Sequence, residues 1–155
     1  MIYQTDRRLD SNMNKIACAF DSLAYFRERY QGKPWTADEL QSAWNGAISA
    51  RIISPDTNHD GDLLDKGEGE IQDWQMLANH LGCAVQFLGI FPPNDPKRDG
   101  NFVIARWFNP RTNFRHFVVG DLKPVEWDPI IGGSVTVREG HVDSLRIFKP
   151  LVPMV

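Results

Sequence analysis

A chain of 155 residues with 17 basic and 20 acidic side chains carries a formal charge of −3. The balance leaves no basic footprint for nucleic acid and no polybasic patch for a membrane. No apolar run approaches the ~20 residues of a membrane span, MIYQTDRRLD lacks the apolar core of a signal peptide, and two cysteines make no disulfide framework, so a soluble cytoplasmic protein is expected.

The length suits one domain, residues 1–155, able to bury ~68–70% of its unfolded surface without a metal or disulfide to hold it together. Met1 to Asn14 has few periodic apolar residues and reads as an extended segment carrying Tyr3, Gln4 and Asn12. A helical pattern follows from Cys18 to Tyr30, with Phe20, Leu23 and Ala24 on one side, stopped by Gly32 and Pro34. Thr36 and Glu39 form a capping box for a second helix through about Ile48, with Leu40, Trp44 and Ile48 as its stripe. Ile71 to Leu81 predicts a third, with Trp74, Leu77, Ala78 and Leu81 on one face and Gly82 as its end.

Beyond it the periodicity changes from 3.6 to 2. Strands are predicted over Cys83–Gly89, Asn101–Phe108, Phe114–Val119, Pro124–Asp128, Ser134–Arg138 and Ser144–Phe148. The polar run Phe91 to Gly100 reads as a loop long enough to border a cleft. Helices first and antiparallel strands after argue an α+β fold, with a helical side, a sheet side and a cleft between.

Within Phe114 to Pro129, FRHFVVGDLKPVEWDP, pairing the two strands as a hairpin puts Asp128 beside His116. A carboxylate beside an imidazole fixes its tautomer and favours its charged form, as required of a general base in acyl transfer. Cys18 opens a helix, where unpaired amides and the helix dipole lower a thiol pKa, and it is the candidate nucleophile. Cys83 opens a core strand and is structural. His80 and His59 read as structural or solvent-facing, His141 as a loop residue, and the five tryptophans as mostly core, with Trp127 placed to wall the site.

The order Cys18, His116, Asp128 and the words HFVVGD and WDP resemble papain-like cysteine peptidases, in detail the small bacterial double-glycine leader-peptidase type, and are also similar to uncharacterised phage and spirochaete proteins of that superfamily. The resemblance covers most of the chain in element order. It implies a papain-like fold, a peptide or protein substrate and a Cys18–His116–Asp128 triad with no cofactor for the chemistry. Where that family has a glutamine six positions before the cysteine to bind the oxyanion, this chain has Asn12. The amide is one methylene shorter, and Gln4 is the other amide nearby. Asn12 with the Cys18 backbone amide is the expected oxyanion pair. The change favours a rival in which the fold has lost turnover and survives as a binding or inhibitory module; a cell-wall peptide amidase or an acyltransferase is the other.

One motif stands apart. In PDTNHDGDLLDKGEGE, from Pro55 to Glu70, Asp56, Asn58, Asp60, Gly61 and Asp62 match positions 1, 3, 5, 6 and 7 of a calcium loop. Position 12 is Gly67, and the nearest carboxylate is Glu68, one residue late, with Glu70 beyond it. Such an insertion, remote from the triad in sequence, predicts a structural calcium ion with no direct chemical role.

Overall fold

A computed structural model describes all residues, Met1 to Val155. Five helices precede or interrupt a four-stranded antiparallel sheet: α1 (Ser11–Ile16), α2 (Cys18–Gln31), α3 (Ala37–Ser49), α4 (Trp74–Leu81), β1 (Val85–Phe91), β2 (Phe102–Asn109), β3 (Phe114–Val119), α5 (Val135–Glu139) and β4 (His141–Pro150). The strand order is β1-β4-β2-β3. The α+β class is as expected.

The helix boundaries follow the cap chemistry. Thr36 accepts from the Glu39 amide at 3.1 Å and starts α3. Asp73 accepts from the Met76 amide at 2.9 Å, so α4 starts three residues later than the apolar pattern predicts, and Ile71 instead bridges Ile53. Gly32 and Gly82, at φ of 64° and 72°, take the left-handed conformation that ends α2 and α4.

Three expectations are corrected. The segment before Cys18 is not extended throughout, because Asp10 accepts from the Met13 amide at 2.9 Å and nucleates α1, which runs into α2 through Ala17 alone. The strand expected over 134–138 is instead the cap and first turn of α5; Ser134 accepts from the Val137 amide, and that cap outweighs the alternation of three β-branched residues. Pro124–Asp128 makes no strand either. Only one bridge, Val119 to Trp127, joins it to β3. β4 is longer than predicted, and it takes the central place beside β2.

The main core lies between the helices and one face of the sheet, where Phe20 meets Trp44 edge-on at 5.2 Å and Phe26 meets Phe102 at 5.0 Å. Truncating a buried phenylalanine such as Phe20 typically costs ~3–5 kcal/mol. A smaller cluster on the opposite face, with Trp107, Val118 and Leu145, is capped by Val137 of α5. The edge strand β3 is thus held from both sides, with α2 packed against it.

Candidate active site

Cys18 is the first residue of α2 and His116 the third of β3. Ser22, one turn beyond the cysteine, donates to the Cys18 carbonyl at 2.7 Å and stands 3.4 Å from the Phe117 carbonyl, where α2 meets the strand. Phe117 and Val119 pack into the main core and Val118 into the smaller one, so His116 shares Val118's side of an outermost strand. Cys18, in the first turn of α2, comes within hydrogen-bonding reach of the His116 imidazole.

His116 Nε2 lies 2.7 Å from Asp128 Oδ1. Both residues are only 8% exposed. Asp128 is itself fixed, accepting from the Ile130 amide at 2.9 Å and the Ser134 amide at 3.0 Å. The loop that carries it is anchored by Trp127, whose ring stacks on Tyr25 at 5.1 Å and on Tyr3 at 5.8 Å. Trp127 therefore acts as an anchor for the loop and does not line the cavity beside Cys18.

The electrostatics agree across the three groups. Burial pushes the Cys18 thiol up, but the hydrogen bond and charge of His116, with the Phe117 and Ala19 amides, bring it below its ordinary value. Burial pulls His116 down, while Asp128 and Cys18 raise it to about 10. Burial pushes Asp128 up, and His116 with the Ile130 amide and Ser134 side chain lowers it from its ordinary value. The shifts of Cys18 and His116 both run toward the charged forms, thiolate and imidazolium. Cys83 is the opposite case: burial raises its thiol to about 12, and it donates to the Leu23 carbonyl at 3.4 Å.

Cys18 opens onto a cavity of about 370 Å³. Ile16 and Ala19 form one wall, Ile71 and Trp74 a second, and Phe117, Arg106 and Arg146 of the sheet a third. The Phe91–Gly100 loop does not border it. A 3₁₀ turn at Pro96–Arg98 instead directs Arg98 to Asp121, beside a separate pocket.

Asn12 is half-buried in the first turn of α1, where its Oδ1 accepts from the Leu63 amide at 3.1 Å, and it does not line the cavity. It ties α1 to the acidic loop. Gln4 is buried, and its Nε2 donates to the Asn14 carbonyl at 3.3 Å. His80 is exposed and pairs with the Ala43 carbonyl at 2.8 Å, His59 is exposed, and His141 starts β4 rather than lying in a loop.

In the acidic loop, Asp60, Asp62, Asp65 and Glu68 bring one carboxylate oxygen each within 4.8 Å of one another. Asp60, Asp62 and Glu68 are residues that the loop pattern indicates, and Asp65 is added to them. Asp56 accepts from the Gly61 amide at 2.9 Å and Asn58 donates to Asp65 at 2.6 Å, so both shape the loop from outside that cluster. Glu68 is 5% exposed; its Oε2 accepts from Thr57, while its Oε1 is buried without a partner. The loop is closer to Cys18 than its place in the sequence suggests, because Gly69, Glu70 and Ile71, which end it, wall the cavity.

Two residues of the site were not anticipated from sequence. Asp21 is fully buried three positions after Cys18, both its oxygens lack partners, and burial together with the nearby Cys18 charge raises its pKa well above 3.8. An acid between Phe20 and Leu23 on a buried stripe was the available signal. Arg146, near the middle of β4, has none beyond its parity with Ser144 and Phe148.

Comparison with family models, curated proteins and solved structures returned no match for this chain.

Proposed function

We propose that this chain is a papain-like thiol hydrolase acting on a peptide or amide bond. The observation that carries the reading is the convergence of Cys18, His116 and Asp128 from a helix start, an edge strand and a pinned loop, with Cys18 lining a partly apolar cavity. The Cys18 thiolate attacks the carbonyl carbon, forming a C–S bond and an oxyanion held by the amides of the first turn of α2. His116 then gives its proton to the leaving nitrogen as the C–N bond breaks. Water attacks the thioester, His116 takes its proton, and the C–S bond breaks to return the thiolate. Asp128 keeps the imidazole oriented and charged. No cofactor takes part.

A nucleophilic thiolate needs reducing surroundings, for which the cytoplasm is the fitting compartment. No helix is long and apolar enough to cross a membrane. A second reading, a peptidase-like module without turnover, is favoured by Asn12, whose side-chain oxygen is committed to Leu63. The test is alkylation of the two thiols at neutral pH, followed by turnover of a peptide library. Cys18 should react at least tenfold faster than Cys83 and lose most of that advantage in His116→Ala. Equal rates would remove the nucleophile; a fast Cys18 with no product from any peptide would select the binding module.

For the acidic loop we propose a structural calcium ion held by Asp60, Asp62, Asp65 and Glu68. Hard carboxylate oxygens are the donors calcium takes, and the buried, unpartnered oxygen of Glu68 is the specific support. The ion would fix the loop whose end walls the cavity, and take no part in bond making.

A further inference from the structure

We infer that Arg146 forms an anion subsite in the cavity beside Cys18, and that the preferred acyl substrate carries a carboxylate close to the scissile bond. The inference rests on the reading of Cys18 as nucleophile and names the substrate class of that site.

Arg146 is 8% exposed, yet it makes no ion pair. Its Nη1 donates to Ser144 Oγ at 2.5 Å, and its Nε is buried without any partner. The guanidinium sits 4.8 Å over the Phe117 ring and 6.0 Å from that of Trp74, both of which line the same cavity. Ring stacking accounts for the placement of the cation but meets none of its N–H groups. A buried charge left unpaired is costly, and one that lines an open cavity is relieved when an anion enters.

The charges around it point the same way. Arg106, also on the cavity wall, is held by Asp143 at 2.8 Å, and Arg115 takes the other oxygen of that carboxylate at 3.2 Å. Asp143 is thus shared by two guanidiniums and has no direct contact with the third. Glu70 is exposed on the facing wall and pairs with neither arginine of the cavity. Burial and the neighbouring Arg106 lower the Arg146 pKa to about 10, with Asp143 opposing them, so the group stays charged at neutral pH. Arginine presents a planar fork that a carboxylate matches with two oxygens, and the aromatic walls keep water from competing. The cavity, about 370 Å³, is the size of a site for a short segment of substrate.

Two isosteric probes of different charge read this without turnover. Iodoacetate should alkylate Cys18 preferentially over iodoacetamide, and because His116 contributes to that preference, the quantity to follow is the ratio among variants. We expect the ratio to fall about tenfold in Arg146→Met and by less in Arg146→Lys, which keeps the charge but not the fork. An equal ratio in wild type and Arg146→Met overturns the subsite. Should Arg146→Met fail to fold, protection of the wild-type protein decides. A capped peptide with a glutamate should slow Cys18 alkylation where its glutamine counterpart does not, and a peptide with a free terminal carboxylate tells whether the anion is a side chain or a chain end. Protection by neither acid sinks the proposal. A Cys18 no faster than Cys83 takes both readings down, whereas a fast Cys18 indifferent to charge removes Arg146 alone.

Discussion

Val119 and Trp127 meet through a single backbone bridge, and that contact sets Asp128 against His116. The Val119 amide donates to the Trp127 carbonyl at 2.9 Å, and the Glu126 and Trp127 amides both return to the Val119 carbonyl, at 2.9 and 3.2 Å. A full second strand is unnecessary, because stacking of Trp127 between Tyr3 and Tyr25 supplies the rest of the positioning.

Asp128→Asn should therefore leave the loop in place and change the chemistry. The amide can still accept from Ile130 or Ser134, but it no longer favours an imidazolium. The expected outcome is a Cys18 pKa that rises toward the free-thiol value and alkylation near pH 7 slowed by about tenfold or more, with a thermal midpoint close to wild type. The measurement is a pH series of Cys18 alkylation beside melting curves. Superimposable titrations would make Asp128 a turn residue only.

Why the site was legible in sequence, and where legibility stopped, is a matter of range. The positions of Cys18 at a helix start and His116 on a strand are legible because both are local patterns, and Thr36, Gly32 and Gly82 punctuate the chain by local backbone chemistry. Asp128 was placed correctly for a partly mistaken reason, since the predicted hairpin is a loop held by one bridge. The strand expected over 134–138 failed because alternation of Val135, Thr136 and Val137 competes with one Ser134 cap, and the cap is decisive here. Arg146 and Glu70 reach the cavity only through sheet order and loop closure, which no local pattern encodes.

For the acidic loop, mass action gives the expectation. At a hundredfold excess over its dissociation constant, a calcium ion bound only by the folded state adds about 2.7 kcal/mol, or roughly 5–10 °C in a domain of this size. Asp60→Ala should abolish the shift and Glu68→Gln should reduce it. Calcium should also slow hydrogen exchange at Leu63 and Gly69, which connect the loop to Asn12 and to the cavity wall. Melting curves that coincide in calcium and in chelator would leave an acidic turn whose charges repel.

Asp21 gives a distinct pH dependence of stability. Its folded-state pKa is raised well above the unfolded value of 3.8, because the side chain is fully buried without a partner and lies near the Cys18 charge. A carboxyl with a raised folded pKa is bound more tightly to its proton in the folded chain, so its favourable contribution is present at low pH and is lost as pH climbs from about 4 through the folded value. Burial and the Cys18 charge both favour the protonated carboxyl, which places no second negative charge beside Cys18. Asp21→Asn keeps the shape and removes the titration. The variant should match wild type near pH 4 and be more stable at pH 8, with a gap that widens as pH rises toward the folded value and then levels off. The same substitution should remove from the pH series of Cys18 alkylation any contribution of a neighbouring ionising acid. Denaturant unfolding from pH 4 to pH 9 checks the first point: parallel stability curves for the two proteins would mean that Asp21 finds a partner, and its carboxyl would then be an ordinary ionised acid of the α2 core.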